Sequence, residues 1–69
     1  MPENFSVHLK LARTKADLTQ EELAARVGVT RKTINTIERG HFVPSTLLAL
    51  KLAKALDAKV EELFSLDAP

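Results

Sequence analysis

Arg31, Lys32, Asn35, Thr36 and Arg39 fall within nine consecutive residues, and each offers hydrogen bonds or positive charge. At about 100° per residue, Lys32, Thr36 and Arg39 share one face of a helix, with Asn35 and Arg31 on its flank. Ile34 and Ile37 point the other way, with Glu38 beside Ile34. The polar face therefore carries three cations, two small hydrogen-bonding groups and no large hydrophobe. Mounted on a compact core, such a helix suits the major groove of DNA.

The surrounding residues supply that mount. Thr19-Gln20-Glu21-Glu22 is a capping box, with Thr19 as N-cap and Glu22 three positions on, and it opens a second helix that runs to about Val27. Leu23, Ala24 and Val27 face inward. Gly28 stands where the chain must turn left-handed, Val29 plugs the turn, and Thr30 caps the third helix, which ends at Arg39 before Gly40. Two helices joined by so short a turn cross closely, so one contact residue must be small, and Ala24 fits that place.

The rest of the chain also reads as helical. A first helix is expected over about Phe5–Lys15, capped by Asn4, with Phe5, Leu9, Ala12 and Ala16 on one stripe and Asp17 as the stop. Gly40–Pro44 is a loop and Ser45 the next N-cap. A fourth helix spans about Thr46–Leu56, with Leu47, Leu50 and Ala53 inward. A short fifth covers Val60–Phe64, and the tail Ser65–Pro69 frays.

Composition bounds the alternatives. A chain of 69 residues is one small domain, near the lower limit for an unaided core. Its 45% hydrophobic content is mostly Leu and Ala, with three Phe and no Trp or Tyr, which favours packed short helices over a sheet. Without cysteine there is no disulfide framework and no thiolate metal site; no cofactor, metal or small-molecule ligand is expected. No apolar run approaches a membrane span and Met1–Phe5 is no signal peptide, so a cytoplasmic protein is expected. The overall charge of +1 is small, yet Arg26, Arg31, Lys32 and Arg39 stand against Glu38 alone, while the segments before and after are each slightly acidic. Positive charge is concentrated at the exposed helix face.

Together, Leu18-Thr19-Gln20-Glu21-Glu22-Leu23-Ala24, Gly28-Val29, Ile34-Asn35-Thr36-Ile37-Glu38-Arg39-Gly40, Pro44-Ser45 and Val60-Glu61-Glu62-Leu63-Phe64 resemble the Cro/phage-repressor type of helix-turn-helix domain, the XRE family. The resemblance spans about Leu9 to Phe64. It implies an all-α, lambda-repressor-like bundle of four to five short helices, one domain over 1–69 with its core at 5–64 and the helix-turn-helix at 19–40. It also implies that the third helix enters the major groove. Arg31, Lys32 and Thr36 then occupy base-reading positions: arginine can grip guanine O6 and N7 with its fork, and lysine can reach the same acceptors. Asn35 suits adenine or the phosphate backbone. Gln20 matches a phosphate-contacting position, with Thr30, Arg39 and His41 as further phosphate candidates; Thr30 also serves as a cap. A salt bridge between Arg13 and Glu38 is implied, holding the reading helix to the core. Asp17 and Asp57 stand where the family has glycine, and Lys59 where it often has a Ser or Thr cap, so a ragged fifth helix is expected.

The function expected is a sequence-specific DNA-binding regulator from a bacterium or phage, most simply a homodimeric repressor on a pseudo-palindromic operator in the nucleoid. One domain makes few contacts, and two half-sites about 34 Å apart supply the rest. Val60, Leu63, Phe64 and Leu66 are the candidate dimer surface, with Leu11 a second choice; Phe64 also suits the core. An antitoxin or adaptor that binds another protein is the competing class. Catalysis is not expected, because His8 and His41 lie far apart and the serines have no evident base.

Overall fold

The computed structural model describes residues 5–66, which form seven elements: β1 (Phe5–Val7), α1 (Leu9–Lys15), α2 (Gln20–Val27), α3 (Arg31–Glu38), α4 (Thr46–Ala55), α5 (Val60–Leu63) and β2 (Phe64–Leu66). Three of the helix starts are set by side chains. The Thr19 hydroxyl accepts the Glu22 N–H at 3.0 Å while the Glu22 carboxylate accepts the Thr19 N–H at 2.8 Å, which completes the capping box. Thr30 and Ser45 accept the N–H groups of Thr33 and Leu48 at 3.2 and 3.1 Å. These oxygens satisfy donors that have no partner inside the helix.

The first four helices close with the same bond. The N–H groups of Leu18, Val29, His41 and Ala58 reach back five residues to the carbonyls of Arg13, Ala24, Thr36 and Ala53. Each closure needs a left-handed residue just before the donor. Gly28 and Gly40 take it at φ 76°, and Asp17 and Asp57 adopt it at φ 59° and 50°. Aspartate thus does the glycine's job at two helix ends, at a modest steric cost. At α5 the Glu62 carboxylate accepts the Lys59 N–H at 2.7 Å. The lysine side chain has no acceptor to return that bond, so the start is half-capped.

Leu9, Leu23, Ile34, Ile37, Leu52 and Leu63 are fully buried and join Ala24, Val27 and Ala53 in one core. Ala24 is 2% exposed beneath the α2–α3 crossing. On α4 the inward stripe is Leu48, Leu52 and Ala53, not the expected Leu47, Leu50 and Ala53: Leu47 and Leu50 are 63% and 54% exposed. The run TLLALKLAKA is apolar nearly all round, so its period fixes no phase. The phase is set by Lys51 and Lys54, whose solvent-facing stripe at i, i+4, i+7 carries Leu47 outward with them.

The expected helix over 5–15 begins only at Leu9. Phe5–Val7 is extended and pairs antiparallel with Phe64–Leu66, in the register Phe5 with Leu66, Ser6 with Ser65 and Val7 with Phe64. The Phe5 and Phe64 rings stack across the pair, 6.1 Å between centroids and 5° from parallel. Phe-Ser-Val and Phe-Ser-Leu alternate with the period of a strand, a signal too short to outweigh the helical reading. His8 precedes α1, donating its N–H to the Leu63 carbonyl at 2.7 Å while its ring contacts the Ser65 hydroxyl at 2.9 Å. Ser65 and Leu66 therefore belong to β2 instead of a frayed tail, Phe64 opens that strand instead of closing the fifth helix, and Ala16 is exposed. The Asn4 cap and residues 67–69 lie outside the described residues.

Candidate nucleic-acid interface

Ile34 and Ile37 fix the inner side of α3 in the core, fully buried. The outer side carries Arg31, Lys32 and, just past the helix end, Arg39, all exposed, with Asn35 and Thr36 half-buried between them. Thr36 donates its hydroxyl to the Lys32 carbonyl at 2.8 Å. The groups free to meet a ligand there are its methyl and the oxygen's two lone pairs. Lys32, Thr33 and Thr36 line a shallow cleft with Phe42, which is 45% exposed on the α3–α4 loop.

Behind this face stands a charged anchor. Arg13 on α1 meets Glu38 at the end of α3 through Nε–Oε2 at 2.6 Å and Nη2–Oε1 at 3.2 Å, and gives Nη1 to the Leu18 carbonyl at 2.8 Å. The side chains are 10% and 3% exposed, so the pair is effectively removed from water. Its fork geometry and third bond give each guanidinium nitrogen a partner, the condition under which a buried pair is tolerated. Gln20 then extends the anchor outward. Its Nε2 donates to Glu38 Oε1 at 2.9 Å, and its Oε1 accepts from Arg31 Nη1 at 3.0 Å. Four side chains from three helices form one chain of bonds that begins in the core and ends at the exposed arginine.

A helix-turn-helix with a rigid inner face and a cationic outer face narrows the comparison to one class of fold. The helix-turn-helix family profile matches residues 9–63. The chain belongs to the XRE-type helix-turn-helix family of DNA-binding transcriptional regulators. An HTH-type transcriptional regulator of Archaeoglobus fulgidus is 49% identical over 59 residues, covering 86% of this chain and 83% of the relative. YgzD, an HTH-type transcriptional regulator of Bacillus subtilis, is 48% identical over 59 residues, covering 86% and 89%. Among solved structures, the restriction-modification controller protein C.AhdI from Aeromonas hydrophila superposes with a TM-score of 0.75 at 40% identity, covering 80% of this chain and 83% of that one.

Within this family's scaffold, Arg31, Lys32, Asn35 and Thr36 lie along one helix and Gln20 joins them through Arg31. Thr30 caps α3, and its hydroxyl also contacts that of Thr33 at 3.0 Å. Arg39 and His41 are exposed beyond the helix end. Phe42 stands outside the expected set, and its signal in the chain is an aromatic in a Gly-His-Phe loop directly after the polar helix. The double engagement of Gln20 is likewise outside that set, since no local spacing announces it. Of the candidate dimer residues, Leu66 is 78% exposed and Val60 and Phe64 are half-buried. Leu63 is fully buried against the core and offers no surface to a second copy, which corrects its assignment there.

Proposed function

We propose that the protein is a homodimeric repressor that places α3 in the major groove of a pseudo-palindromic operator, acting on nucleoid DNA in the cytoplasm. The observation that carries this reading is the two-sidedness of α3: Ile34, Ile37 and the buried Arg13–Glu38 pair hold it from behind, while Arg31 and Lys32 project from the front. Arg31 and Lys32 are the guanine readers, with Thr36 and Asn35 completing the base contacts. Gln20, Thr30, Arg39 and His41 meet phosphates and fix the register of the helix on the duplex. Gln20 keeps one amide N–H for this purpose, since its other N–H is engaged by Glu38.

A second copy supplies the other half-site. An open, mostly apolar cleft of about 450 Å³ lies where β1, α4, α5 and β2 meet, lined among others by Leu50, Val43, Val60 and Phe64. Leu50 and Val43 are 54% and 45% exposed there, which supports this face as the isologous contact.

The test is fluorescence anisotropy with labelled duplex from upstream of the protein's own gene and a scrambled control, at roughly 50 and 200 mM salt. Preference for the native fragment that survives the higher salt is the expected result. No binding to either duplex at the lower salt overturns the proposal.

A further inference from the structure

Leu47, Lys51 and Lys54 form a solvent-facing stripe on α4, and opposite it lies the end of α2 with Ala25, Arg26, Val27 and Gly28. Two open clefts, of about 550 and 220 Å³, run along this seam and share Val27, Gly28 and Lys51, so they form one groove. Its floor is apolar, with Leu47 63% exposed at one end. Its rim carries Arg26, Lys51 and Lys54, and no acidic residue lines it. Arg26 lies one turn from Glu22 and acts on its charge, whereas Lys51 and Lys54 have no ion-pair partner among the described residues. None of the groove's residues lines the Lys32–Thr33–Thr36–Phe42 cleft, so the two surfaces are separate.

We infer that this groove is a docking site for an acidic amphipathic helix of another protein. Charge complementarity selects carboxylates, because an apolar floor bordered by cations on both walls rewards an occupant that brings both apolar and anionic groups. Lys51 and Lys54, three residues apart on one helix, place their ammonium groups about one helical turn from each other. Glutamates at i, i+3 or i+4 of a partner helix match that separation, and a leucine one turn away fits over Leu47. From Leu47 to Ala55 the groove is about 12 Å long, enough for two turns. A phosphate backbone matches the cations but leaves Leu47 and the alanine and valine floor uncovered, so a peptide fits better than a second duplex. Such a site would let a DNA-bound copy hold a partner protein without releasing its operator, and the docking itself requires no DNA.

The experiment is an amide chemical-shift titration of the full chain, without DNA, by a synthetic peptide of about 14 residues with leucine and glutamate at i, i+4, i+7 spacing. Two control peptides replace every glutamate by lysine or every leucine by serine. Saturable shifts at Gly28, Lys51 and Lys54, absent with both controls and weakened about tenfold in the double variant K51E/K54E, are expected. Leu47→Ser, which leaves the charge unchanged and alters an exposed position, should also weaken binding. The proposal is overturned by the absence of saturable shifts in the groove or by equal binding of the serine peptide. It is equally overturned if a short duplex DNA, and not the peptide, shifts the Lys51 and Lys54 signals. Since the titration contains no operator, its failure is distinguishable from a failure of the DNA-reading proposal.

Discussion

Gln20 donates a side-chain N–H to the Glu38 carboxylate at 2.9 Å, which fastens the first residue of α2 to the last residue of α3. Glu38 is already held by Arg13, so the orientation of the Gln20 amide is fixed from the core outward: its nitrogen faces the carboxylate and its oxygen faces Arg31. A glutamine placed the other way round would turn its N–H groups toward a guanidinium that has no acceptor. The buried ion pair thus does more than join two helices, because it sets the polarity of the bond that steadies the exposed arginine.

Arg13→Ala removes the cation from a carboxylate that is only 3% exposed. Breaking a buried pair from one side costs about 3–5 kcal/mol, and Gln20 remains as a donor, so the lower end applies. In a domain of this size that corresponds to a fall of more than about 10 °C in Tm. Thermal unfolding followed by circular dichroism checks it, and a midpoint unchanged from the native chain would show that the pair does not hold α3.

Gln20→Ala leaves the capping box intact, since Thr19 and Glu22 make it, and should barely move the unfolding midpoint. It frees Arg31 from its prop. Given the proposed reading mode, Arg31→Ala should cost about 1–3 kcal/mol at one base pair, and Gln20→Ala should lose part of the same discrimination. Competition between operator duplexes substituted at single positions measures this. Both variants should relax the same base pair, and relaxation at different positions would refute a shared role.

What was legible in the sequence was local. The Thr19–Glu22 box, the Thr30 and Ser45 caps and the Gly28 turn are each decided within a few residues, and the inner face of α3 follows from Ile34 and Ile37 against the six polar residues of the same helix. The phase of α4 was not legible, because leucine and alanine surround the helix and only Lys51 and Lys54 break the symmetry. The β1–β2 pair joins residues at opposite ends of the chain, and three residues of alternation cannot announce a partner so far away. The bonds of Gln20 span 18 and 11 positions, and the expected phosphate role gave no hint of them. For Arg13 and Glu38, 25 positions apart, the expectation came from family resemblance and not from pattern.

Glu22 gives acid sensitivity a definite sign. The Thr19 backbone N–H, then the Thr19 side chain, and then the charge of Arg26 lower its pKa from the ordinary 4.5. A lowered folded-state pKa means that its stabilisation is fully present above about 4.5 and is lost as the pH falls through the lower folded value. Glu22→Gln keeps an acceptor for the Thr19 N–H but cannot titrate. Urea unfolding midpoints measured between about pH 3 and 6 should therefore decline less steeply in the variant. Parallel decline in both chains would remove Glu22 from the acid limb.

Leu50→Glu separates self-association from folding. Leu50 is 54% exposed, so a charge there faces water in the monomer and should change its stability by less than about 0.5 kcal/mol. In the proposed dimer the same position lies on the apolar cleft with Val43 and Phe64, and the two-fold axis brings the partner's glutamate against the same face. Burying unpaired carboxylates there is strongly unfavourable. Sedimentation should show the native chain as a dimer and Leu50→Glu as a monomer at about 100 μM, a concentration at which interfaces of standard size persist. Operator binding should fall with it, from two coupled half-sites to single, salt-sensitive contacts. A variant that remains dimeric while the native melting curve is preserved would move the interface elsewhere, with exposed Leu11 and Leu66 as the next positions to charge.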